Sequence, residues 1–234
     1  MKKIIVLIFA TTLSLSACGG FLGSKNVADN TQAPNKDFDT VNGSITIGHH
    51  SNVGDLSTVN GSVKVASNST VGEASTVNGS VVLAEGVTAI TAETVNGSIK
   101  LGENCKIEEA VETVNGSIIA NSGCEIGGDF ETVNGKLKAI NTKIHGQVKT
   151  VNGSVIMLDG TVVYEDITIK KSKGFFNKSK SKKPKVVLGK NVVVKGDLKF
   201  EKPVKLYIHD TADVDADDVE NAEVISFSGD DSPY

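Results

Sequence analysis

The sequence predicts an all-β fold, a single-stranded parallel right-handed β-helix (β-solenoid) of about ten coils of 18–20 residues. Three observations predict it. Thr-Val-Asn-Gly recurs from Thr40, Thr58, Thr76, Thr94, Thr113, Thr132 and Thr150, at spacings of 18 or 19 residues. Each unit then carries a short aliphatic pair at period two, such as Ile45/Ile47, Val63/Val65, Val81/Leu83 and Ile99/Leu101. Composition agrees: 24 Gly, no Trp and 5% aromatic residues suit short strands and tight bends better than a helical core.

The repeat justifies the coil. Six of the seven units continue with Ser, the exception being Lys136. Further apolar positions follow at Val53, Val71, Ile107, Ile126 and Ile144, and again at Leu56, Ala74, Ala110, Phe130 and Val148. One such unit cannot bury its own apolar face, so neighbours must stack, about 4.8 Å apart, and share a core. Stacking sets like on like. Asn42, Asn60, Asn78, Asn96, Asn115, Asn134 and Asn152 are expected to form an amide ladder, with Gly43 and its equivalents supplying positive φ at a corner. A meander of hairpins also uses Asn-Gly turns, but it does not require one tetrapeptide in phase seven times. A left-handed hexapeptide solenoid fits 18 residues, and Val53-Gly54 and Val71-Gly72 suit it, whereas the 19-residue units break a strict hexad. The phase outlasts the tetrapeptide in Val186–Leu188 with Val192–Val194, in Leu206–Ile208 with Ala212 and Val214, and in Val224–Phe227, giving a solenoid over 39–229 and a tail at 230–234.

The N-terminus is of another kind. Met1-Lys2-Lys3, an apolar run from Ile4 to Leu15 and small residues before a Cys describe a secretory leader over 1–17, since the run is too short to span a bilayer. Leu15-Ser16-Ala17-Cys18 resembles the lipobox of bacterial lipoproteins. That resemblance implies lipidation of Cys18 (diacylglycerol on the thiol, palmitate-type acylation of the new amine) and a membrane-anchored cell-envelope protein. Gly19 after the Cys points by the same resemblance to the outer membrane, its periplasmic or surface side left open. Residues 19–38 lack periodicity and are expected to be a flexible tether, so that 18–38 joins lipid to domain. Loss of Lys2 and Lys3 with the leader moves the formal charge from −4 to −6. With no Arg anywhere there is no bidentate fork for phosphate, which argues against a nucleic-acid partner.

Three local features carry chemistry. Cys105 and Cys124 share one offset in successive units and become neighbours in a stack, so in an oxidising compartment a disulfide is expected; two buried thiols are the alternative. The stretch 170–185 holds Lys170, Lys171, Lys173, Lys178, Lys180, Lys182, Lys183 and Lys185 around Phe175-Phe176. It reads either as an insertion loop laid on anionic lipid, lipopolysaccharide or an envelope polymer, or as a solvated loop. The acids between Asp210 and Glu223 fail an EF-hand count, which puts Asp218 and Val224 where Gly and Glu belong, and fit an outward edge face. His49, His50, His145 and His209 are scattered and read as surface residues. No catalytic residues, metal ligands or cofactor are expected: the stripped repeats leave no cleft-forming loops and no nucleophile–base grouping.

The Thr-Val-Asn-Gly-Ser units resemble adhesin-type β-solenoid repeats of bacterial proteins, and VVLGKNVVVKGDL (186–198) resembles a coil of bactofilin-like polymer-forming proteins. These resemblances imply a shared architecture more than an activity. The expected function is a non-enzymatic envelope lipoprotein, a tethered rod for binding, adhesion or envelope structure. The alternatives are an end-to-end polymer, self-associating through the solenoid ends, and a solenoid enzyme acting on envelope polysaccharide.

Overall fold

The computed structural model describes residues 22–172, 183–217 and 219–229. All strands pair in parallel, and successive turns of the chain stack as a β-solenoid with three faces. Sheet A holds nine strands, from Phe38–Asn42 to Leu198–Phe200. Sheet B holds eleven, from Lys25–Val27 to Ala222–Phe227. Sheet C is built from two-residue strands such as Lys106–Ile107 and Glu125–Ile126, linked through bridges at Thr70. The chain visits A, B and C in turn, so a complete coil adds one strand or bridge to each face. Register is exact in chemistry: Thr58 lies on Thr40 and Thr76, and Asn96 lies between Asn78 and Asn115.

Alternation places one residue in two inside. The aliphatic pairs of sheet B, the single Val or Ile of sheet C and the apolar position of sheet A converge on one continuous core, including Ile45, Ile47, Val53 and Leu56, all buried. Phe130 is the largest fully buried side chain in that core. A parallel ladder closes only when every backbone N–H finds the coil above or below, and it does so at corners as well as in strands: Gly61 N donates to Asn78 O at 3.2 Å and Ala66 N to Ile47 O at 2.9 Å.

Two expectations are corrected. The stretch read as a tether is coil from residue 22 onward: Lys25, Asn26 and Val27 pair with Ile45, Thr46 and Ile47, and Gln32-Ala33 with Asn52-Val53. It lacks the tetrapeptide, yet its backbone satisfies the first repeat's open edge, and Val27 and Phe38 pack on the core. The corner glycine does not owe its place to a general positive φ. A Cβ on Gly61 would lie 1.9 Å from the Gly43 carbonyl oxygen, and one on Gly97 1.7 Å from that of Gly79. Close approach of stacked corners is what excludes a side chain.

Positive φ belongs to another bend, between sheets B and C. Asn30, His50, Asn68, Gly86, Asn104, Gly123, Asn141, Gly160 and Asn191 form a left-handed column there, with φ between 44° and 81°. Asn and Gly tolerate this region better than other residues. His50 is the exception.

Candidate interaction surfaces

The amide ladder forms as expected. Asn60, Asn78, Asn96, Asn115, Asn134 and Asn152 each donate from Nδ2 to Oδ1 of the Asn one coil earlier, at 2.7–3.0 Å, and the first acceptor is Asn42. The ladder is exposed and its polar groups satisfy one another, so it is a rigid rail along the A–B corner.

Its neighbours reverse a simple hydrophobic reading. The Thr of each tetrapeptide points inward and is buried, while the Val points outward and is half-buried. Inward Thr is stable because its Oγ1 donates to a corner Gly carbonyl of the previous coil, as in Thr58 to Gly43 at 2.8 Å and Thr76 to Gly61 at 2.8 Å. The device ends at Thr150, whose Oγ1 is buried without a partner. There Lys202 Nζ closes the corner from outside, 2.5 Å from Val151 O, and burial lowers its pKa.

Beside the Val stripe runs a column that sequence reading missed: Asp39, Ser57, Ser75, Glu93, Glu112, Glu131, Lys149, Thr168 and Lys199, in register on the outer face of sheet A. Burial between stacked neighbours, then the charges of Glu73 and Glu109, push Glu93 up to about 6. Burial, then Glu131 and Glu93, push Glu112 up to about 7. Lys149 pairs with Glu131 and reaches Asp129 at 3.8 Å, but burial still leaves Glu131 raised. The signal was a Glu two residues before each of three successive Val-Asn-Gly triplets. A second missed device is an Asp at the C–A corner that accepts a backbone N–H of the next coil, as Asp55 does from Glu73 at 2.9 Å and Asp129 from Gln147 at 2.8 Å. A Cβ on Gly72 would lie 1.9 Å from that Asp55 oxygen, which explains the recurring small residue.

Cys105 and Cys124 are brought together on adjacent coils, but as free, buried thiols, so the expected disulfide is absent. Their column contains Ser51, Ser69 and Thr142, whose hydroxyls donate to carbonyls of the previous coil's bend. The thiols do the same, Cys105 Sγ to Ala84 O and Cys124 Sγ to Gly102 O, both at 3.0 Å. Hydrogen bonding to Cys105, reinforced by burial, raises the Cys124 pKa.

Of the lysine-rich stretch, Lys170, Lys171, Lys183 and Lys185 are placed. Lys173, Phe175, Phe176, Lys178, Lys180 and Lys182 lie outside the described residues, as does Cys18. The two roots leave and rejoin at one corner: Lys171 N donates to Glu201 at 3.0 Å, Lys183 Nζ meets Glu223 at 3.0 Å, and Lys185 Nζ stands 5.8 Å from the centre of the Tyr207 ring. Beside the returning root, sheet B carries a second apolar cluster on its outer face, where Ile156 and Val187 pack with Ile140, Tyr207 and Phe227. Earlier coils place Lys64 and Lys100 in that same outer column.

The histidines divide. His145 is half-buried, stacked on Tyr164 at 4.6 Å and 2.9 Å from Glu125 Oε1, with Lys195 over the Tyr164 ring. His209, expected at the surface, is buried. It contacts Thr211, the Gly229 carbonyl and the edge of Phe227, because the closing strand folds over it. Among the described residues no group of three or more His, Cys, Asp or Glu is arranged to hold a metal ion, and no helix is long and apolar enough to cross a membrane. Compared with family models, curated proteins and solved structures, the chain matches none.

Proposed function

We propose that this chain is a non-enzymatic cell-envelope lipoprotein, anchored through Cys18 and acting as a rigid rod that binds an anionic surface through its lysine-rich insertion. The observation that carries this reading is the rooting of the insertion. Both of its described ends issue from one corner of a stiff ladder, so the two roots of this lysine-rich segment sit together on the rod. Lys170 and Lys171 lean on Glu201, and Lys183 leans on Glu223, which holds the roots without neutralising a segment of eight Lys. Each Lys near an anionic membrane adds about 1 kcal/mol of attraction. The rails of Asn, Val and Glu are side-chain ladders suited to adhesion rather than to catalysis.

Two measurements test the parts separately. Labelled palmitate should enter the chain and be lost in Cys18→Ser. The domain from residue 22 should co-sediment with vesicles containing anionic lipid and not with zwitterionic ones, with affinity falling steeply with salt. Equal binding to both kinds of vesicle, or binding unchanged after Lys178, Lys180, Lys182 and Lys183 are replaced by Gln, contradicts the surface-binding reading.

A further inference from the structure

Sheet A stops one strand short. The chain visits the three sheets in turn, so the stretch between Asp213, bridged to Val193 on sheet C, and the sheet B strand Ala222–Phe227 is where a tenth sheet A strand belongs. No strand forms among the described residues of 214–221. The last sheet A strand, Leu198–Phe200, therefore pairs on one side only, with Ile167–Ile169. Ile167 N donates to Asp197 O and Glu201 N to Ile169 O. Alternate residues of a parallel strand bond to opposite neighbours, so Leu198 and Phe200 turn their backbone groups to the open side. Among the described residues the Phe200 carbonyl is met there by Asn221 Nδ2 at 2.8 Å.

A cleft of about 490 Å³ occupies the missing strand's place. Its floor is Leu198 and Phe200, and its rim carries Asp215, Asp217 and Glu220, which have no cationic partner among the described residues. Lys199, at the same edge, is already held by Asp166 at 2.5 Å and Asp197 at 3.0 Å. Above, Val224 sits in register with core residue Leu206 yet is 49% exposed, and of the non-strand stretch Val214 and Val219 pack partly on the core.

We propose that this edge docks an extended, lysine-bearing segment of a partner protein, added as the tenth strand of sheet A. An unpaired parallel edge offers main-chain hydrogen bonds to an incoming strand, and pockets for alternate side chains give the selectivity. Inward side chains of the guest land on Leu198 and Phe200 and face Val224, so they must be apolar. Its outward and flanking side chains meet the rim carboxylates, so they must be cationic, and an acidic strand is repelled. Glu201, which lines the cleft, also holds a root of the insertion, but the proposal does not rest on the anionic-surface reading, which uses the opposite charge, and either can fail alone.

The test uses the full-length chain in detergent micelles and a dye-labelled peptide of alternating valine and lysine, with glutamate replacing lysine in the control. Binding should favour the lysine peptide by about tenfold or more. It should fall at least about fivefold in the Asp215→Asn, Asp217→Asn, Glu220→Gln variant, whose circular dichroism stays that of the parent. Hydrogen exchange should slow at the Leu198 and Phe200 amides on binding. Equal affinity for both peptides, or exchange protection elsewhere and not at these amides, overturns the proposal. Protection of the same amides on raising protein concentration without peptide would make a second copy the occupant and overturn it too.

Discussion

His50 occupies a column in which nearly every other residue is Asn or Gly. A left-handed backbone costs an ordinary L-residue about 1–2 kcal/mol, and Asn recovers part of this through local hydrogen bonding. His50→Asn should therefore raise the unfolding free energy by a few tenths of a kcal/mol up to about 1, read in urea titrations, and His50→Val should lower it. Glu112 makes a second residue-scale prediction. It faces Glu93 and Glu131 on adjacent coils, with Asp129 and Lys149 nearby. A carboxyl with a folded pKa above its unfolded one binds protons more tightly when folded. Its stabilising contribution is complete below about 4.5 and is lost as pH rises through about 7. The melting temperature should fall between pH 5 and pH 8, and Glu112→Gln should flatten that slope and stabilise the protein at pH 8. A steeper slope in the variant would contradict the stacked-carboxylate account.

Elements are specified by columns rather than by single turns. The glycine of each tetrapeptide lets one corner rest on the next, and Gly97→Ala should cost about 1–3 kcal/mol by overpacking against Gly79. Asn96→Ala, one residue away, removes two exposed amide bonds, its own to Asn78 and that from Asn115, and should cost about 1–2 kcal/mol. The thiol column makes a comparable point. Because Ser51 and Ser69 serve the same bend with hydroxyls, Cys124→Ser should shift stability by less than about 1 kcal/mol, and unfolding without reductant should release two titratable thiols from the domain starting at residue 22. Finding none would restore the disulfide. Much of this scale was legible in the sequence. The phase of Thr-Val-Asn-Gly predicted the coil, the Asn rail and the adjacency of Cys105 and Cys124. It was silent on the inward Thr and outward Val, because a hydroxyl bonded to a carbonyl can replace an apolar group in a core, and hydrophobicity alone cannot register that. The coil at 22–38 was hidden for a related reason. A terminal coil needs only to satisfy one open edge, so Lys25-Asn26-Val27 does so without the motif.

The whole molecule is a stack of eleven sheet B strands, about 50 Å long at the usual strand spacing. A solenoid holds each coil only through its neighbours, so stability is expected to fall toward the ends, where Leu22 is 78% and Val224 49% exposed. The interior of the rod is closed by ladders, and the departures from the repeat gather near its C-terminal half: the lysine-rich insertion, the outer cluster around Val187 and the missing sheet A strand. Of these, the insertion and the missing strand are the places proposed here to meet partners. The most direct test of a self-standing binding rod is sedimentation with small-angle scattering on the domain from residue 22, over a concentration series. The account predicts monomers with a longest dimension near 50 Å that does not change with concentration. Particles that lengthen as concentration rises, as end-to-end filaments do, would contradict it.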